Sequence, residues 1–112
     1  MGLKRKKPTI RTQLKNWSKA VRDRDGNKCA ICGSEEHIQA HHIVQKKFSK
    51  DLRFDVGNGI ALCPKHHSFG AWSAHMGSFF FSVWLEENRP NQFAYLKAKV
   101  LRGWEEHNEG IR

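Results

Sequence analysis

Three cysteines and five of the seven histidines fall between residues 29 and 67, with spacings that suit metal binding. Cys29 and Cys32 are separated by two residues, and so are Cys63 and His66 after a gap of 30 residues. Two such pairs supply the four soft or borderline ligands of a closed tetrahedral Zn²⁺ site. We predict a structural zinc site here, called the zinc clamp: Cys29, Cys32, Cys63 and His66. His67 competes with His66 as the fourth ligand. The alternative to a metal site is three free, buried cysteines and an unrelated histidine.

The polar residues that the zinc clamp leaves over in this stretch suit a second kind of site. Four of them could take part in catalysis: His41, His42, Asn58 and His67. Hydrolysis of a phosphodiester needs an activated water and a cation on the leaving oxygen. One histidine as base and another as metal ligand would supply both. Adjacent strand residues face opposite sides, so His41 and His42 share one task only if the strand ends or bulges there. The alternative is that one of His41 and His42 is buried, the other is exposed, and neither takes part in catalysis.

The segment before the first cysteine has a helical pattern. Leu14, Trp17 and Val21 recur on one face, which we expect to face the core, and basic residues occupy the other faces. We predict a helix from about residue 9 or 10 to Arg24. The turn at residues 25–27 then delivers the chain to Cys29.

Two short strands should carry the second site. Residues 37–43 and 60–62 favour strands that pair in an antiparallel manner across a long basic loop at residues 44–57. Loops of that length in a compact domain are usually functional. Pro64 suits the first turn of a helix. We expect that helix to carry His66 and His67 and to extend up to Trp72.

Two further helices are predicted after Gly70. The first runs from residue 79 to about residue 88, with Ser78 as its cap and Phe80, Val83 and Trp84 facing inward. The second spans residues 91–107, and its apolar side chains recur at helical spacing as Phe93, Leu96, Val100 and Trp104. The expected organisation is a basic tail at residues 1–8 and one domain at 9–112, with its core motif at 29–67 and helical support at 78–107.

Charge and composition narrow the class of partner. The chain has 112 residues and a net charge of +9, which favours a polyanion: nucleic acid first, an anionic membrane surface second. The alternative is a soluble basic domain that binds no anionic partner. An odd number of cysteines with a Cys-x-x-Cys pair fits metal binding in a reducing compartment. The N-terminus lacks the apolar region of a secretory signal, and the apolar run at 79–85 is too short to span a bilayer. We expect a cytoplasmic protein.

These motifs together resemble the HNH endonuclease family in its small zinc-containing, phage-type form. The resemblance rests on Ala-His41-His42-Ile, on Asn58 and on Leu-Cys63-x2-His66-His67, framed by Cys29-x2-Cys32, and it covers about residues 22 to 70. It implies an α+β fold, the ββα-metal module, flanked here by an N-terminal helix and C-terminal helices. It also implies metal-dependent hydrolysis of DNA by nicking or double-strand cleavage.

The resemblance assigns a role to each matching residue. His42 corresponds to the general base that takes a proton from the attacking water. His41 and His67 correspond to ligands of a catalytic ion, which would be Mg²⁺, Mn²⁺ or Ni²⁺. Asn58 corresponds to the asparagine that holds the loop and orients the base through its backbone. The reaction would leave 5′-phosphate ends.

The chain departs from the family pattern at two positions. The second ligand pair, Cys63 with His66, is called here the second knuckle. It ends His66-His67 where the family has Cys-His. Some relatives carry a further metal histidine one helical turn after the last motif histidine, and in this chain that position is Ala71. His75 is a candidate replacement if the chain bends back at Gly70, and a purely structural His75 is the alternative.

Basic residues are the expected phosphate contacts. In the loop and beside the second knuckle they are Lys46, Lys47, Lys50, Arg53 and Lys65, and residues 5–11 add further positive charge. Phosphate contacts position a duplex without specifying sequence, so we expect low sequence preference or targeting by a phage or host protein. The competing hypothesis is a non-catalytic zinc module that binds nucleic acid.

Overall fold

The computed structural model describes residues 6–111 of the chain. Most of the basic tail expected at residues 1–8 therefore lies outside the described residues, and the domain boundaries stay a prediction. The described part has five main elements: α1 (Ile10–Arg24), β1 (Gln39–His42), β2 (Gly59–Leu62), α2 (Ser78–Asn88) and α3 (Pro90–Ile111). It is a small α+β architecture of helices around a two-stranded antiparallel sheet. None of these helices has the length and apolar character needed to cross a bilayer.

Helix α1 confirms the predicted N-terminal helix and its inward face. Thr9 caps it, because the Thr9 Oγ1 accepts a hydrogen bond from the Thr12 backbone N–H at 3.1 Å. Trp17 and Val21 are buried. The helix ends where Gly26 has a φ of +70°, which gives the chain the sharp turn that leads to the first cysteine.

The sheet confirms the two predicted short strands. Gln39 pairs with Leu62 and His42 with Gly59 in antiparallel register. β1 begins only at Gln39, because His37 has a φ of +51° and cannot continue a strand. β2 is buried along its whole length. No side chain fits at Gly59, where a Cβ would lie 2.8 Å from Trp17 and closer still to Val21.

Polar side chains satisfy the outer edge of β2. Asp25 Oδ2 accepts a hydrogen bond from the Ala61 N–H at 2.8 Å, and Arg24 Nη2 donates to the Gly59 carbonyl at 2.6 Å. Gln92 Nε2, from α3, donates to the same carbonyl at 2.9 Å. The edge is therefore covered by these side chains and, at the Ala61 carbonyl, by the Ala30 N–H rather than by a third strand.

The segment after β2 differs from the expected helix. A single π-helical turn spans Lys65–Phe69, and the Gly70 N–H closes it on the Lys65 carbonyl at 3.1 Å. A Cβ on Gly70 would lie 2.7 Å from that carbonyl oxygen, so the wide turn stops there. Residues 70–77 are turns that fold back beside the π turn, not a continuation up to Trp72.

Helix α2 forms where it was predicted but turns a different face inward. Ser78 is its first residue and makes no capping hydrogen bond. Phe81 and Leu85 are its buried side chains, whereas Val83 is exposed and Phe80 and Trp84 are only partly buried. The predicted inward face holds for Trp84, which packs against the core, and is wrong for Val83, which is exposed. The core lies on the side where α2 meets β2 and the cysteines, so Phe81 and Leu85 pack with Cys29, Ile60, Leu62, Cys63 and Ala74.

Helix α3 is longer than predicted and only partly packed. It begins at Pro90, which suits the first helical position because proline lacks an N–H. Leu96 is buried and Phe93 packs against the core, but Val100 and Trp104 are exposed. The four apolar residues share one face as expected, yet the core ends near Leu96, so the second half of the stripe faces solvent.

Candidate functional site

The first half of the zinc clamp is a tight knuckle attached to the sheet. The Gly33 N–H donates to the Cys29 carbonyl at 2.8 Å, and Gly33 has a φ of +76°, the conformation glycine tolerates best. The Ala30 N–H donates to the Ala61 carbonyl at 2.9 Å. This bond ties the knuckle to β2, whose next residues lead directly to Cys63.

The second half of the zinc clamp forms where β2 runs into the π turn. The N–H groups of His66 and His67 both donate to the Cys63 carbonyl, at 3.1 and 2.8 Å. His66 Nδ1 lies 3.3 Å from Cys63 Sγ and 3.7 Å from Cys29 Sγ. His66 therefore faces the thiols, and the competing ligand His67 lies outside this group.

The four side chains form a group that could hold a metal ion. Their ligand atoms all lie within 4.8 Å of one another, and Cys32 Sγ lies 3.7 Å from Cys63 Sγ. Metal–sulfur bonds of about 2.3 Å in a tetrahedron place sulfurs about 3.8 Å apart, so this spacing fits one tetrahedral ion. Burial raises the pKa of the Cys29 thiol, but backbone hydrogen bonds led by that of Cys63 outweigh it and lower the pKa, which favours the thiolate.

A second metal-competent group brings together His41, His67 and His75, called here the histidine cluster. Their ligand atoms also lie within 4.8 Å of one another. His41 comes from β1 and His67 from the π turn, whereas His75 comes from the turns before α2. The His75 N–H donates to the His67 carbonyl at 3.1 Å, and their Nε2 atoms are 3.0 Å apart. The chain does bend back at Gly70, so His75 joins the two histidines of the motif.

Hydrogen bonding selects the nitrogen that His67 presents to this cluster. His67 Nδ1 lies 2.8 Å from Gln39 Oε1. An amide oxygen only accepts, so Nδ1 carries the proton and Nε2 is the free ligand nitrogen that faces His75. Such a bond to the remote nitrogen is what orients metal-binding histidines in general.

The protonation state of the histidine cluster also suits a metal. Burial, together with the neighbouring His67, His75 and His42, lowers the pKa of His41 to about 3. Burial and the nearby His75 lower the pKa of His67 as well. Both rings are therefore neutral near pH 7, and a neutral imidazole is the form that binds metals.

His42 faces the opposite side of β1 from His41, as strand geometry requires. Its ring stacks on Trp17 with the ring centroids 3.8 Å apart and the planes 3° apart. Its Nε2 lies 2.9 Å from the Arg53 carbonyl. A carbonyl only accepts, so Nε2 carries the proton and Nδ1 is the basic nitrogen. β1 ends at His42, and both histidines line the same cleft.

Asn58 is fully buried and holds the long loop by its side chain. Its Oδ1 accepts from the Val44 N–H at 2.7 Å, and its Nδ2 donates to the carbonyls of Val44 and Leu52 at 3.0 and 3.1 Å. The expected backbone bond to the base is made elsewhere. The Asn58 carbonyl accepts from the Ile43 N–H, and the carbonyl that holds His42 belongs to Arg53. Asn58 therefore has no direct hydrogen bond to the His42 ring and is connected to it through the loop.

An open cleft of about 1010 Å³ joins these groups. α1, β1, α2 and α3 all contribute to its walls, and His41, His42, His67 and His75 lie in it. Of the predicted phosphate contacts, Lys46 and Arg53 line the cleft. Lys47, Lys50 and Lys65 are exposed and lie outside its lining.

Sequence reasoning missed two side chains that position histidines. Trp17 was expected to be a core residue, and it is buried, but its indole face also holds His42. Gln39 was not singled out, yet it sets the tautomer of His67. Neither contact has a local signal, because each partner is at least 25 residues away along the chain. The one available clue was the Gln39-x-His41 alternation, which places both side chains on one face of a strand.

Comparison with known proteins supports the resemblance drawn from the motifs. A family model described as HNH endonuclease matches residues 29–79. The match spans both halves of the zinc clamp and all three members of the histidine cluster, including His75. No curated protein and no solved structure matches the chain. The resemblance to the HNH endonuclease family is therefore confirmed for residues 29–79. Membership of this segment in a nuclease family supports, in general terms, nuclease activity and a nucleic-acid substrate.

Proposed function

We propose that this protein is a metal-dependent endonuclease that hydrolyses phosphodiester bonds of DNA. The observation that carries the proposal is the shared cleft of His42 and the histidine cluster, which combines a base with a metal-binding group. A binding module has no need for that combination. In this proposal β1, β2 and the π turn are the ββα-metal module, with the helix reduced to one turn.

His42 is the proposed general base. Because Nε2 donates to the Arg53 carbonyl, Nδ1 is the nitrogen that removes a proton from water. The resulting hydroxide attacks phosphorus, the bond from phosphorus to the 3′ oxygen breaks, and the phosphate stays on the 5′ side. Stacking on Trp17 fixes the plane of the His42 ring, and the hydrogen bond to the Arg53 carbonyl fixes the rotation of the ring within that plane. The base is therefore held in one orientation before substrate arrives.

His41, His67 and His75 are the proposed ligands of the catalytic ion. Such an ion would supply positive charge to the leaving 3′ oxygen. Three imidazoles without a carboxylate suit transition metals better than Mg²⁺. Of the three ions that the family resemblance implies, we therefore favour Mn²⁺ or Ni²⁺ over Mg²⁺.

The zinc clamp is proposed to be structural. Four protein ligands leave no open position for substrate on a tetrahedral Zn²⁺. Cys29 and Cys63 belong to the main hydrophobic cluster, so a bound ion would stabilise the small core directly. The boundary between the two ions then falls between His66 and His67, which are consecutive residues.

Substrate contacts are proposed to be electrostatic. Lys46 and Arg53 line the cleft and are placed to meet phosphates, and Lys47, Lys50 and Lys65 add exposed charge around it. We expect low sequence preference, with targeting by a phage or host protein as a further part of the proposal. The host cytoplasm would be the site of action of a phage-encoded enzyme.

A plasmid-nicking assay tests the proposal. Zinc-loaded protein with Mn²⁺, Ni²⁺ or Mg²⁺ should convert supercoiled plasmid to open-circle or linear forms. His42→Ala should lower the rate by about 10²-fold or more, as loss of a general base does. His107→Ala is the matched control, because His107 lies on exposed α3. If both supercoiled plasmid and single-stranded circular DNA stay intact with wild-type protein that still binds DNA, the DNA nuclease is contradicted and the non-catalytic alternative is favoured.

A further inference from the structure

The segment from the end of the π turn to the first turn of α2 exposes large apolar side chains to solvent. Phe69 is 84% exposed, Trp72 66%, Met76 71% and Phe79 83%. These four residues, called here the aromatic surface, fall within eleven consecutive positions. Large apolar side chains that are exposed close together on a soluble protein commonly mark an interaction site.

The aromatic surface grows from the same backbone as the histidine cluster. Phe69 lies two residues after His67, and Trp72 and Met76 flank His75. The strand-like return of the chain is held by two bonds, from the Ala74 N–H to the His66 carbonyl at 2.7 Å and from the His75 N–H to the His67 carbonyl. The aromatic surface and two members of the histidine cluster are therefore carried by one continuous segment, with the four apolar side chains outside the lining of the cleft.

Local packing holds the aromatic surface in place. The Trp72 ring meets the Phe80 ring edge-on, with centroids 5.0 Å apart. Ser73 is fully buried, and its Oγ accepts from the Met76 N–H at 3.1 Å. A Cβ on Gly77 would lie 2.6 Å from the Ala71 carbonyl oxygen, so the turn is closed tightly. Side chains that are already held in place lose less conformational entropy on binding than mobile ones.

Charge identifies the class of ligand. Between Asp55 and Glu86 the chain has no acidic residue, whereas Lys65 is exposed beside the π turn. Aromatic side chains in a region free of negative charge, beside a basic cleft, are the combination that binds nucleic-acid bases by stacking. A base is available for stacking only when it is unpaired or unstacked, because both of its faces are covered in a continuous duplex.

We propose that the aromatic surface binds unpaired bases next to the scissile phosphate, so that the protein prefers single-stranded or locally unpaired DNA to continuous duplex. This inference rests on the proposed function for its choice of nucleic acid as ligand. It adds the substrate class: the phosphate lies at the histidines, and the neighbouring bases lie on Trp72 and its companions.

Binding in the absence of cleavage tests the inference separately from the proposed activity. The parent is zinc-loaded His42→Ala, titrated with a labelled single-stranded oligonucleotide and with the duplex of the same sequence. Adding Trp72→Ala should weaken single-strand binding by about tenfold, which corresponds to one stacked base, and duplex binding by less than about twofold. Trp72→Phe, which keeps a ring, should restore most of the affinity and checks that folding is intact.

Trp104→Ala is the matched control. Trp104 is 57% exposed and lies on α3, a different element from the turns that carry His67 and His75, and it does not line the cleft. Its loss should change neither affinity. The inference is overturned if Trp72→Ala leaves single-strand binding unchanged, or if it weakens duplex binding equally. If neither supercoiled plasmid nor single-stranded circular DNA is cleaved while single-strand binding still depends on Trp72, the nuclease is refuted and base binding stays intact.

Discussion

The imidazole of His42 lies flat on the indole of Trp17, with the ring centroids 3.8 Å apart and the planes 3° apart. The indole is itself anchored, because its Nε1–H donates to the Asp55 carbonyl at 2.7 Å. Trp17 thereby links α1 to the start of the 3₁₀ turn Val56–Asn58, which leads into β2. A helix outside the HNH motif thus sets the plane of the residue proposed as base.

Replacing Trp17 should affect turnover more than substrate binding. Trp17→Phe keeps a stacking face, and we expect at most a few-fold loss of kcat. Trp17→Leu removes that face and should lower kcat by about tenfold to a hundredfold with little change in KM, as misplacement of a catalytic group does. Nicking kinetics well below the melting temperature measure both constants.

Val21→Ala is the control for this substitution. Val21 is buried on the same face of α1 and should lose about 1–2 kcal/mol of stability without loss of kcat. If Val21→Ala lowered kcat as strongly as Trp17→Leu, the effect would belong to α1 packing and not to the stacked ring.

Gln39 should govern affinity for the catalytic ion. Gln39→Ala removes the acceptor that holds His67 Nδ1–H, which frees both the tautomer and the ring angle. Loss of such a partner typically weakens metal binding by about 10–100-fold. Titration of activity with Mn²⁺ measures the shift, and zinc content should stay at one ion per chain. Gln13→Ala, which changes only a contact to the Pro8 carbonyl, is the control; an unshifted Mn²⁺ dependence in Gln39→Ala would contradict the assigned tautomer.

Loss of the zinc clamp should destabilise the whole domain. Cys32→Ser replaces a thiolate with a poor zinc ligand, and Cys29 and Cys63 would then lose the ion that holds them within the core. We expect zinc to fall below one ion per chain and the melting temperature to drop by at least about 10 °C. Elemental analysis and thermal unfolding provide the measurements. Full zinc occupancy in Cys32→Ser would exclude Cys32 as a ligand.

Acidification should destabilise the protein through His41. Its pKa is about 3 in the fold, below the usual value of about 6.5 in the unfolded chain. The unfolded chain therefore binds more protons between these pH values, so stability is full above about pH 6.5 and falls as the pH is lowered toward 3. From pH 7 to pH 5 the loss should be about 2 kcal/mol.

Urea unfolding of zinc-loaded protein without the catalytic ion measures this loss. His41→Gln removes the titrating ring, and its stability should change less between pH 7 and pH 5 than that of the wild type. Any loss caused by release of zinc is common to both proteins and cancels in the difference. Equal pH dependence in the two proteins would show that His41 is not held neutral by its surroundings.

The pattern of the sequence was sufficient for the features that depend on neighbours in the chain. The knuckle spacing of Cys29 with Cys32 and of Cys63 with His66 predicted a group that the structure does bring together. The apolar period of residues 14–21 predicted α1 and its buried face. Within each Cys pair or Cys–His pair, and along α1, the geometry follows from a few consecutive residues, since one turn or one helical period places the side chains. The two halves of the zinc clamp meet only because the segment around Ala30 packs on β2.

Tertiary structure decided the features in which distant segments compete for the same space. The face of α2 that is buried was set by the position of the zinc clamp in the core, and the exposed end of α3 by the small size of that core. The π turn depended on closure at Gly70, which no apolar period encodes.

The residues proposed for chemistry divide along the same line. His41, His42 and His67 were identified by their types and spacing in the sequence alone. Whether His75 joins them, which nitrogen of His67 is free and which face of His42 is held were decided by the folded chain. Those properties arise from contacts between Gln39, Trp17 and the histidines across 8 to 28 residues of separation. A local pattern carries no information about such contacts, because they exist only after β1, the π turn and α1 have packed together.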